Sequence, residues 1–477
     1  MTEETRGLLI EPEEFLPAEL PSPADAKANR NMARTTTADP TLLVIIATVP
    51  ETIMSFLVDQ IQFLTAHGFE VHTITSPGMD KMPGNEALNS VRHEVAMTRA
   101  INPIADLVAL MKLWRLLREL RPTIVQTRTP KAGLLGMIAA WFARVPVRIY
   151  TVDGLPILTQ KFLGRIMLTV TEWLSCALAT EVLCVGRLDR RYIVASGLCP
   201  SGKARVLGDG HLRGVDTEKF NPFADRENRG ARIKDEYAIP RGAPVIGFIG
   251  RLVPDKGVAE LANAWEKIHV EFPDVHLLLC GYFEPVHPVA AELAERLKSD
   301  ARVHITGAWL NNMPDFYSAI DVCVLPTYRE ALSTVAIESG AMKVPVVITR
   351  VAGCVEAVRN GVTGLLVEPR DSESIAIALR RLLKDPGLRE KMGAAGRDFV
   401  SRHYSAARTS ALVLAEYQRL VASLDSRRSR KPQSPRSGGT FHGEIAVADN
   451  SATAPKIKSK AAAAASSTGS TSIHPIS

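Results

Sequence analysis

The chain alternates short apolar runs with longer segments whose apolar residues recur at helical spacing, and it does so twice. In the first half the apolar runs are Leu42–Ala47, Glu70–Thr75, Ile124–Gln126, Val147–Val152 and Glu181–Val185. In the second half they are Val245–Ile249, His276–Cys280, Val303–Ile305, Val322–Leu325, Val346–Ile348 and Leu365–Val367. Strands that alternate with helices form βαβ units and therefore parallel sheets. The order predicts an α/β protein of two tandem, doubly wound, Rossmann-like domains with a cleft between them.

The boundary between the two domains is expected near residue 225, because Pro222 to Pro244 is charged and irregular in pattern. Both ends of the chain lack apolar periodicity, which is typical of disorder. The predicted organisation is a disordered tail, an N-terminal domain, a C-terminal domain, a C-terminal helix that packs back toward the N-terminal domain, and a second disordered tail. These segments are, in order, residues 1–40, 41–225, 226–404, 405–425 and 426–477.

The cysteines and the apolar segments favour a cytoplasmic protein. Six cysteines are scattered with no C-x-x-C pair and mostly lie in apolar runs, as reduced core residues do. No signal peptide is predicted, and the most apolar stretch, Phe162 to Val185, is interrupted by Arg165, Glu172 and Glu181.

The net charge of +6 is concentrated between residues 112 and 165. Ten basic residues lie there against two acidic ones: Lys112, Arg115, Arg118, Arg121, Arg128, Lys131, Arg144, Arg148, Lys161 and Arg165. Leucines and aromatic residues such as Trp114 and Trp141 accompany them, a combination that suits an anionic membrane surface. An ordinary solvated helix face with packed arginine stems remains the alternative. Nucleic acid is not expected as a partner, because no nucleic-acid motif is present.

Glu330 and Glu338 lie on either side of a predicted helix N-terminus that follows the apolar run ending at Pro326. The loop Thr327 to Ser333 carries the first carboxylate, and the helix that begins near Thr334 carries the second. Ligands of open α/β sheets bind at the carboxyl ends of strands, and free N–H groups of a helix N-terminus bind phosphate. The pair can therefore bind sugar and ribose hydroxyls, although two glutamates in water or in surface ion pairs would show the same spacing.

A second candidate site follows the run Val245–Ile249 directly. Gly250 and Arg251 are separated from Lys256 and Gly257 by a short loop that contains proline. Glycine allows close approach of a ligand to the backbone, and two cations beside a helix N-terminus can bind a diphosphate. The segment matches neither the P-loop nor the G-x-G-x-x-G pattern. Solvated charges at a strand-to-helix turn are the simpler interpretation of this segment taken alone.

Taken together, these segments resemble retaining glycosyltransferases of family 4, which have the GT-B fold. The resemblance rests on Gly250 to Gly257, the glutamate pair and Gly353-Cys-Val-Glu-Ala-Val-Arg-Asn-Gly-Val-Thr-Gly364. In the first half, Thr127-Arg-Thr-Pro-Lys-Ala-Gly133, Thr151-Val-Asp-Gly-Leu-Pro156 and Gly214-Val-Asp-Thr-Glu-Lys-Phe220 resemble the subgroup that builds capsular or exopolysaccharide repeat units.

The resemblance implies a nucleotide-sugar donor, usually linked to uridine, and no cofactor or metal, in keeping with the absence of a D-x-D motif. It assigns donor binding to the 226–404 domain and acceptor binding to the 41–225 domain. Arg251 and Lys256 would stabilise the leaving diphosphate, Glu338 would bind the ribose, and Glu330 would contact the donor sugar. Further substrate-binding residues would be Gly250, Arg128, Lys131, Ala331, Leu332, Ser333 and Thr334.

The chain departs from the family pattern at several positions. Asp153, Gln126 and Arg128 stand where relatives often carry histidine, and Ala331 stands where they usually carry glycine. Asp153 is a candidate catalytic residue that accepts a proton or orients the acceptor, yet an aspartate there could equally cap a turn.

The sequence thus predicts a cytoplasmic enzyme, peripheral at the inner membrane face, that transfers a sugar to a lipid-linked acceptor. A nucleotide-sugar epimerase or a phosphorylase of the same fold is one alternative. A non-catalytic subunit that only binds a nucleotide sugar is another.

Overall fold

The computed structural model describes residues 40–98, 100, 102–160, 162–308, 310 and 312–429. Lys161 and nearly all of the two predicted tails lie outside the described residues. The described exceptions are Pro40 and residues 426–429, and the latter belong to the last helix.

The front lobe is built on a sheet of seven parallel strands in the order β3-β2-β1-β4-β5-β6-β7. The strands are β1 Thr41–Ile46, β2 Phe69–Thr75, β3 Val91–Glu94, β4 Ile124–Thr127, β5 Val147–Val152, β6 Glu181–Cys184 and β7 Ala204–Arg205. The helices of this lobe are α1 Pro50–Phe56, α2 Val58–Ala66, α3 Pro103–Leu120, α4 Pro130–Phe142, α5 Phe162–Leu178 and α6 Arg187–Ala195.

The rear lobe is built on a sheet of six parallel strands in the order β10-β9-β8-β11-β12-β13. The strands are β8 Val245–Ile249, β9 His276–Cys280, β10 Val303–Ile305, β11 Val322–Leu325, β12 Val346–Thr349 and β13 Gly364–Val367. The helices are α7 Arg226–Glu236, α8 Val258–Glu271, α9 Ala291–Ser299, α10 Met313–Ala319, α11 Thr334–Ala341, α12 Ala352–Ala357, α13 Ser372–Lys384, α14 Pro386–His403 and α15 Ala406–Ser429.

The predicted fold class is therefore confirmed: two doubly wound parallel sheets with helices between the strands. In each sheet the strand order reverses once, at β1 next to β4 and at β8 next to β11. Loops that leave the carboxyl ends of two strands on either side of such a reversal diverge and leave a crevice, where ligands bind in this architecture. The loops after β4, β8 and β11 carry most of the predicted site residues.

The last helix belongs in space to the front lobe. Val413, Tyr417 and Leu420 of α15 are buried in the same apolar cluster as Leu43 and Ile45 of β1. The phenol of Tyr417 also donates a 2.7 Å hydrogen bond to Oε1 of Gln126 at the end of β4. The chain therefore crosses between the lobes twice.

Three parts of the fold differ from the sequence prediction. The edge strands β3 and β7 were not predicted, because both are short and β3 is largely solvent-accessible. The segment between the first two apolar runs, whose spacing indicates one helix, forms two helices that meet at Leu57. The segment Pro222–Pro244 is predicted to be irregular but contains α7. Only Gly230 and Ile233 of that helix are buried, so the helix has too few apolar residues for its periodicity to be detected.

Candidate active site

Lys256 and Glu330 form the centre of the candidate site, although 74 residues separate them in the chain. The loop after β8 turns at Gly257, whose φ is +69°, a conformation that glycine adopts without strain. A Cβ on Gly257 would lie 1.9 Å from the carbonyl oxygen of Pro326, so only glycine lets the β8 and β11 loops pack this closely. The packing brings the Lys256 ammonium into an ion pair with Glu330, and each side chain is 19% exposed.

Arg251 lies in the same loop as Lys256, and its guanidinium pairs with Glu284 in the segment after β9. Both predicted diphosphate-binding cations thus have carboxylate partners in this structure. The side chain of Arg251 is 37% exposed. A diphosphate that binds both cations would have to compete with these carboxylates.

Glu338 lies within α11 and is 7% exposed. It accepts a 3.1 Å hydrogen bond from the phenol of Tyr317, and Arg213 lies 3.9 Å from its other oxygen. Burial raises the pKa of the Glu338 carboxyl, while Arg213 and the Tyr317 hydrogen bond act against that rise. A buried carboxylate with few partners is a strong acceptor for hydroxyl groups.

The N-terminus of α11 lies between Glu330 and Glu338. Ser333 is its N-cap, and the Ser333 hydroxyl accepts a hydrogen bond from the backbone N–H of Ala336. The approach to this helix is fixed by Gly353 of α12, where a Cβ would lie 0.8 Å from the carbonyl oxygen of Ala331. The loop 331–333 is therefore held firmly at a helix N-terminus, which favours anions.

Asp153 and Arg128 form the front wall of the cleft. Nε of Arg128 donates to Asp153 at 2.7 Å, and its Nη2 donates to the other carboxylate oxygen. Gly154 follows with φ +89°, and a Cβ there would lie 3.0 Å from the Cβ of Ala331 in the rear lobe. The loop that carries Asp153 therefore touches the loop that carries Glu330.

Lys131, predicted to bind substrate, has its partners within the front lobe. Its ammonium lies 2.7 and 2.9 Å from the two carboxylate oxygens of Asp106, at the start of α3, and it also contacts the carbonyl oxygen of Ala100. These contacts join the first turns of α3 and α4.

Sequence reasoning missed two residues that join the lobes. Glu356 of α12 accepts hydrogen bonds from the backbone N–H groups of Arg187, at 2.6 Å, and Leu188, at 2.9 Å, and so caps α6 of the front lobe. His211 contacts Thr334 at the start of α11. Both residues lie in or beside segments quoted above, between Gly353 and Gly364 and just before Gly214, but nothing in their spacing indicates a partner in the other lobe.

The loop that carries Arg251 and Lys256 therefore contacts the loop that carries Glu330. The loop of Asp153 touches that second loop, which leads into the N-terminus of α11. Fixed cations and a helix N-terminus can bind phosphate groups, and a buried carboxylate can bind hydroxyl groups. Within the described residues, no group of three His, Cys, Asp or Glu side chains is arranged to hold a metal ion.

Residues 56–210 match the family model described as glycosyl transferase 4-like domain, and residues 243–385 match that described as glycosyl transferases group 1. The chain is 33% identical over 350 residues to the capsular polysaccharide biosynthesis glycosyltransferase CapM of Staphylococcus aureus, covering 72% of this chain and 89% of the relative. The chain therefore belongs to the type 4 glycosyltransferase family.

A second relative and two solved structures extend the comparison. The UDP-Gal:alpha-D-GlcNAc-diphosphoundecaprenol alpha-1,3-galactosyltransferase of Escherichia coli is 28% identical over 294 residues, or 61% of this chain and 73% of the relative. A glycosyltransferase from Rickettsia africae superposes with a TM-score of 0.67 at 19% identity, covering 80% of this chain and 99% of that one. HepE of Anabaena in complex with UDP-glucose gives 0.64 at 17% identity, covering 81% and 99%. These two structures share the GT-B fold.

Proposed function

We propose that the protein transfers a sugar from a nucleoside-diphosphate sugar, with uridine as the base, to a lipid-linked precursor of a cell-surface polysaccharide, with retention of anomeric configuration. Family membership supports sugar transfer. The Staphylococcus relative supports the polysaccharide, and the Escherichia coli relative supports both a uridine donor and a diphosphate lipid acceptor. The enzyme would act at the inner face of the membrane.

The observation that carries the proposal is the proximity of Lys256 and Glu330 beside the N-terminus of α11. When the bond between the anomeric carbon and the diphosphate oxygen breaks, the electron pair stays on the diphosphate, and the sugar gains oxocarbenium character. The acceptor hydroxyl oxygen then bonds to the anomeric carbon, and its proton passes to the departing diphosphate. Lys256, Arg251 and the N–H groups at Ala331 and Leu332 stabilise the departing anion, which lowers the barrier. Glu330 contacts the donor sugar in this proposal, and Glu338 binds the ribose hydroxyls. In this scheme the cationic side chains of the protein stabilise the leaving group, and no metal ion takes part.

The front wall supplies the acceptor contacts in this proposal. Both oxygens of Asp153 accept hydrogen bonds from Arg128, so the carboxylate has a fixed orientation. This pairing favours a role in orienting the acceptor hydroxyl over the alternative role of capping a turn. Asp153 would act beside Ala331, opposite the donor sugar.

An epimerase of the same fold and a non-catalytic binding subunit remain the alternatives. An epimerase would convert the donor in the absence of any acceptor. A binding subunit would retain the donor without releasing nucleoside diphosphate. The proximity of Lys256 to Glu330 supports turnover, because a cation beside the donor sugar can stabilise the leaving diphosphate.

The test is a screen of nucleotide sugars by release of nucleoside diphosphate, with and without membrane extract as the acceptor. We expect release with one donor and a large increase when the extract is added. The anomeric configuration of the product, measured by NMR, should match that of the donor. Donor bound tightly but never cleaved, or a donor isomerised without extract, would rule out the transferase.

A further inference from the structure

The front lobe exposes an apolar surface that the proposed chemistry does not use. Of the nineteen large apolar side chains exposed among the described residues, twelve lie on the neighbouring helices α3, α4 and α5. They are Ile104, Leu107, Val108, Met111, Trp141, Phe142, Phe162, Leu163, Ile166, Met167, Val170 and Trp173. Apolar side chains gathered in this way on one region mark a binding surface, whereas single ones are ordinary.

Helix α5 carries half of this set, and it has two distinct faces. Its inner face buries Glu172, Ser175 and Cys176 against the lobe. The outer face exposes six apolar side chains over three turns, and Phe162 and Leu163 are 77% and 79% accessible. No helix in the described part of the chain is long and apolar enough to cross a bilayer. A helix that covers the core on one side and is apolar on the other suits a position in the plane of an interface.

The three helices are fixed side by side. The ion pair between Lys131 and Asp106 joins the first turns of α4 and α3, and α4 packs against both α3 and α5. Helices α3, α4 and α5 come after β3, β4 and β5 in the chain, so the first turn of each helix lies at the carboxyl edge of the sheet. The Asp153 loop lies at the same edge. The surface therefore begins beside the opening of the cleft.

The charges around the surface are mostly positive. On α3, α4, α5 and the residues that directly follow these helices, the exposed basic side chains are Lys112, Arg115, Arg118, Arg121, Arg144 and Arg165. Among the described residues of the same segments, Glu119 is the exposed acidic one. The guanidinium of Arg118 also lies 5.1 Å from the ring centre of Trp114, which holds it at the surface.

The apolar surface and the basic side chains around it together indicate which kind of partner binds here. Basic side chains around an apolar face bind bilayers that contain anionic lipid, and each basic residue near the surface adds to the attraction. A second copy of the chain would bring like charges together on the same face, which opposes association. Nucleic acid would use the charges and could stack on Phe162 or Trp173, but the four aliphatic side chains on this face of α5 suit lipid instead.

We propose that the outer surface of α3, α4 and α5 docks on an anionic bilayer, with the exposed face of α5 inserted among the lipids and the arginines at the headgroups. The structure corrects the sequence-based prediction in one respect. Leu113, Leu117, Leu135 and Met137, which accompany the basic stretch, are core residues, whereas the first turns of α3 and the face of α5 supply the contact. Delivery of a lipid-linked acceptor to the nearby cleft rests on the proposed function, but bilayer binding does not.

The experiment uses the full chain and sedimentation with vesicles, either of phosphatidylcholine alone or with about one third phosphatidylglycerol. We expect the wild type to bind the anionic vesicles at least about tenfold more strongly, and to lose binding in high salt. A Leu163→Ser/Ile166→Ser/Val170→Ser variant should bind at least about tenfold more weakly, because each removed side chain contributes buried apolar area. An Arg115→Glu/Arg118→Glu variant should lose the preference for anionic lipid.

The matched control is Val270→Ser/Val286→Ser/Ile377→Ser, which changes three apolar residues of the rear lobe that are 75%, 74% and 55% exposed. This variant should bind vesicles as the wild type does. Absence of wild-type binding, or equal loss in the control, would overturn the proposal. So would conversion of a dimer to a monomer by the α5 variant without an effect on vesicles, since that would make the surface a contact between copies. Nucleoside diphosphate release with a soluble acceptor analogue tests the proposed function separately.

Discussion

Nε2 of His211 donates a hydrogen bond to Oγ1 of Thr334, and the two atoms are 2.9 Å apart. The direction is fixed because Nδ1 of His211 accepts a 3.0 Å hydrogen bond from the backbone N–H of Gly214, so Nε2 carries the proton. The hydroxyl hydrogen of Thr334 is then available to another acceptor. His211 thus positions the first residue of α11, where the donor diphosphate is proposed to bind.

Replacement of His211 by asparagine should weaken use of the donor. Asparagine tolerates the φ of +54° found at residue 211, but its side chain is too short to reach Thr334. The loss of one hydrogen bond corresponds to about a five- to tenfold decrease in kcat/KM for the donor. Thr334→Val should have a similar effect, and the double variant should be no worse than either single one. If the effects of the two substitutions on kcat/KM were fully additive, the contact between His211 and Thr334 would not be what supports donor use.

His211 also predicts a dependence of stability on pH. Burial, with Arg213 and Arg128 nearby, lowers the pKa of the His211 imidazole to about 3. The folded state therefore disfavours the proton that the unfolded chain accepts below pH 6.5, so stability falls as the pH falls from 6.5 toward 3. At pH 5 this contribution is about 2 kcal/mol. His211→Asn should reduce the difference in Tm between pH 7.5 and pH 5, measured by calorimetry; an unchanged difference would contradict the assignment.

Lys256→Ala should abolish most turnover and leave the fold intact. Removal of a cation that stabilises a leaving group costs about a hundredfold or more in kcat. Lys256 is partly exposed, so its loss should change Tm by only a few degrees. Lys267→Ala is the control, because Lys267 pairs with Glu373 on the surface of the rear lobe. Turnover of Lys256→Ala at the wild-type level would remove the diphosphate-binding role.

Glu172 on the inner face of α5 should make the folded protein less stable at alkaline pH than at acidic pH. Burial raises the pKa of the Glu172 carboxyl to about 7, although a hydrogen bond from Tyr150 opposes the rise. The folded state thus holds a proton that the unfolded chain releases near pH 4.5, so stability falls as the pH rises from 4.5 through 7. The total effect is about 3 kcal/mol.

Glu172→Gln should therefore be more stable than the wild type at pH 8 and similar to it at pH 5, as judged by chemical unfolding. The amide can still accept the Tyr150 hydrogen bond. Glu119→Gln, on the exposed face of α3, is the control and should show no such dependence. Equal stability of Glu172→Gln and the wild type at pH 8 would refute the burial argument.

Removal of residues 430–477 should leave fold and activity largely unchanged, since that tail lacks apolar periodicity. Removal of residues 406–477 should instead lower Tm strongly or prevent folding, because it takes away Val413, Tyr417 and Leu420 from the front-lobe core. The comparison is made on purified proteins by calorimetry and nucleoside diphosphate release. A large decrease in Tm for the shorter deletion would contradict the prediction.

The sequence predicted the sheets well because buried parallel strands are continuous apolar runs, and the predicted β8, β9 and β10 agree with the structure residue for residue. It also predicted that Lys256 and Glu330 lie in loops that follow strands, and the two side chains pair in the structure. It could not predict the ion pairs that these residues make, nor the contact of His211 with Thr334. Such pairings depend on the approach of loops that local periodicity does not specify, as do the interlobe hydrogen bonds of Glu356.

The position of α15 affects how the protein is made. Because its apolar side chains complete the cluster around Leu43 and Ile45, the front lobe needs residues from both ends of the described chain. During translation the first seven strands emerge long before this last helix leaves the ribosome. Part of the front-lobe core therefore stays exposed to solvent until α15 is synthesised. The front lobe can bury its whole core only after the rear lobe has been made.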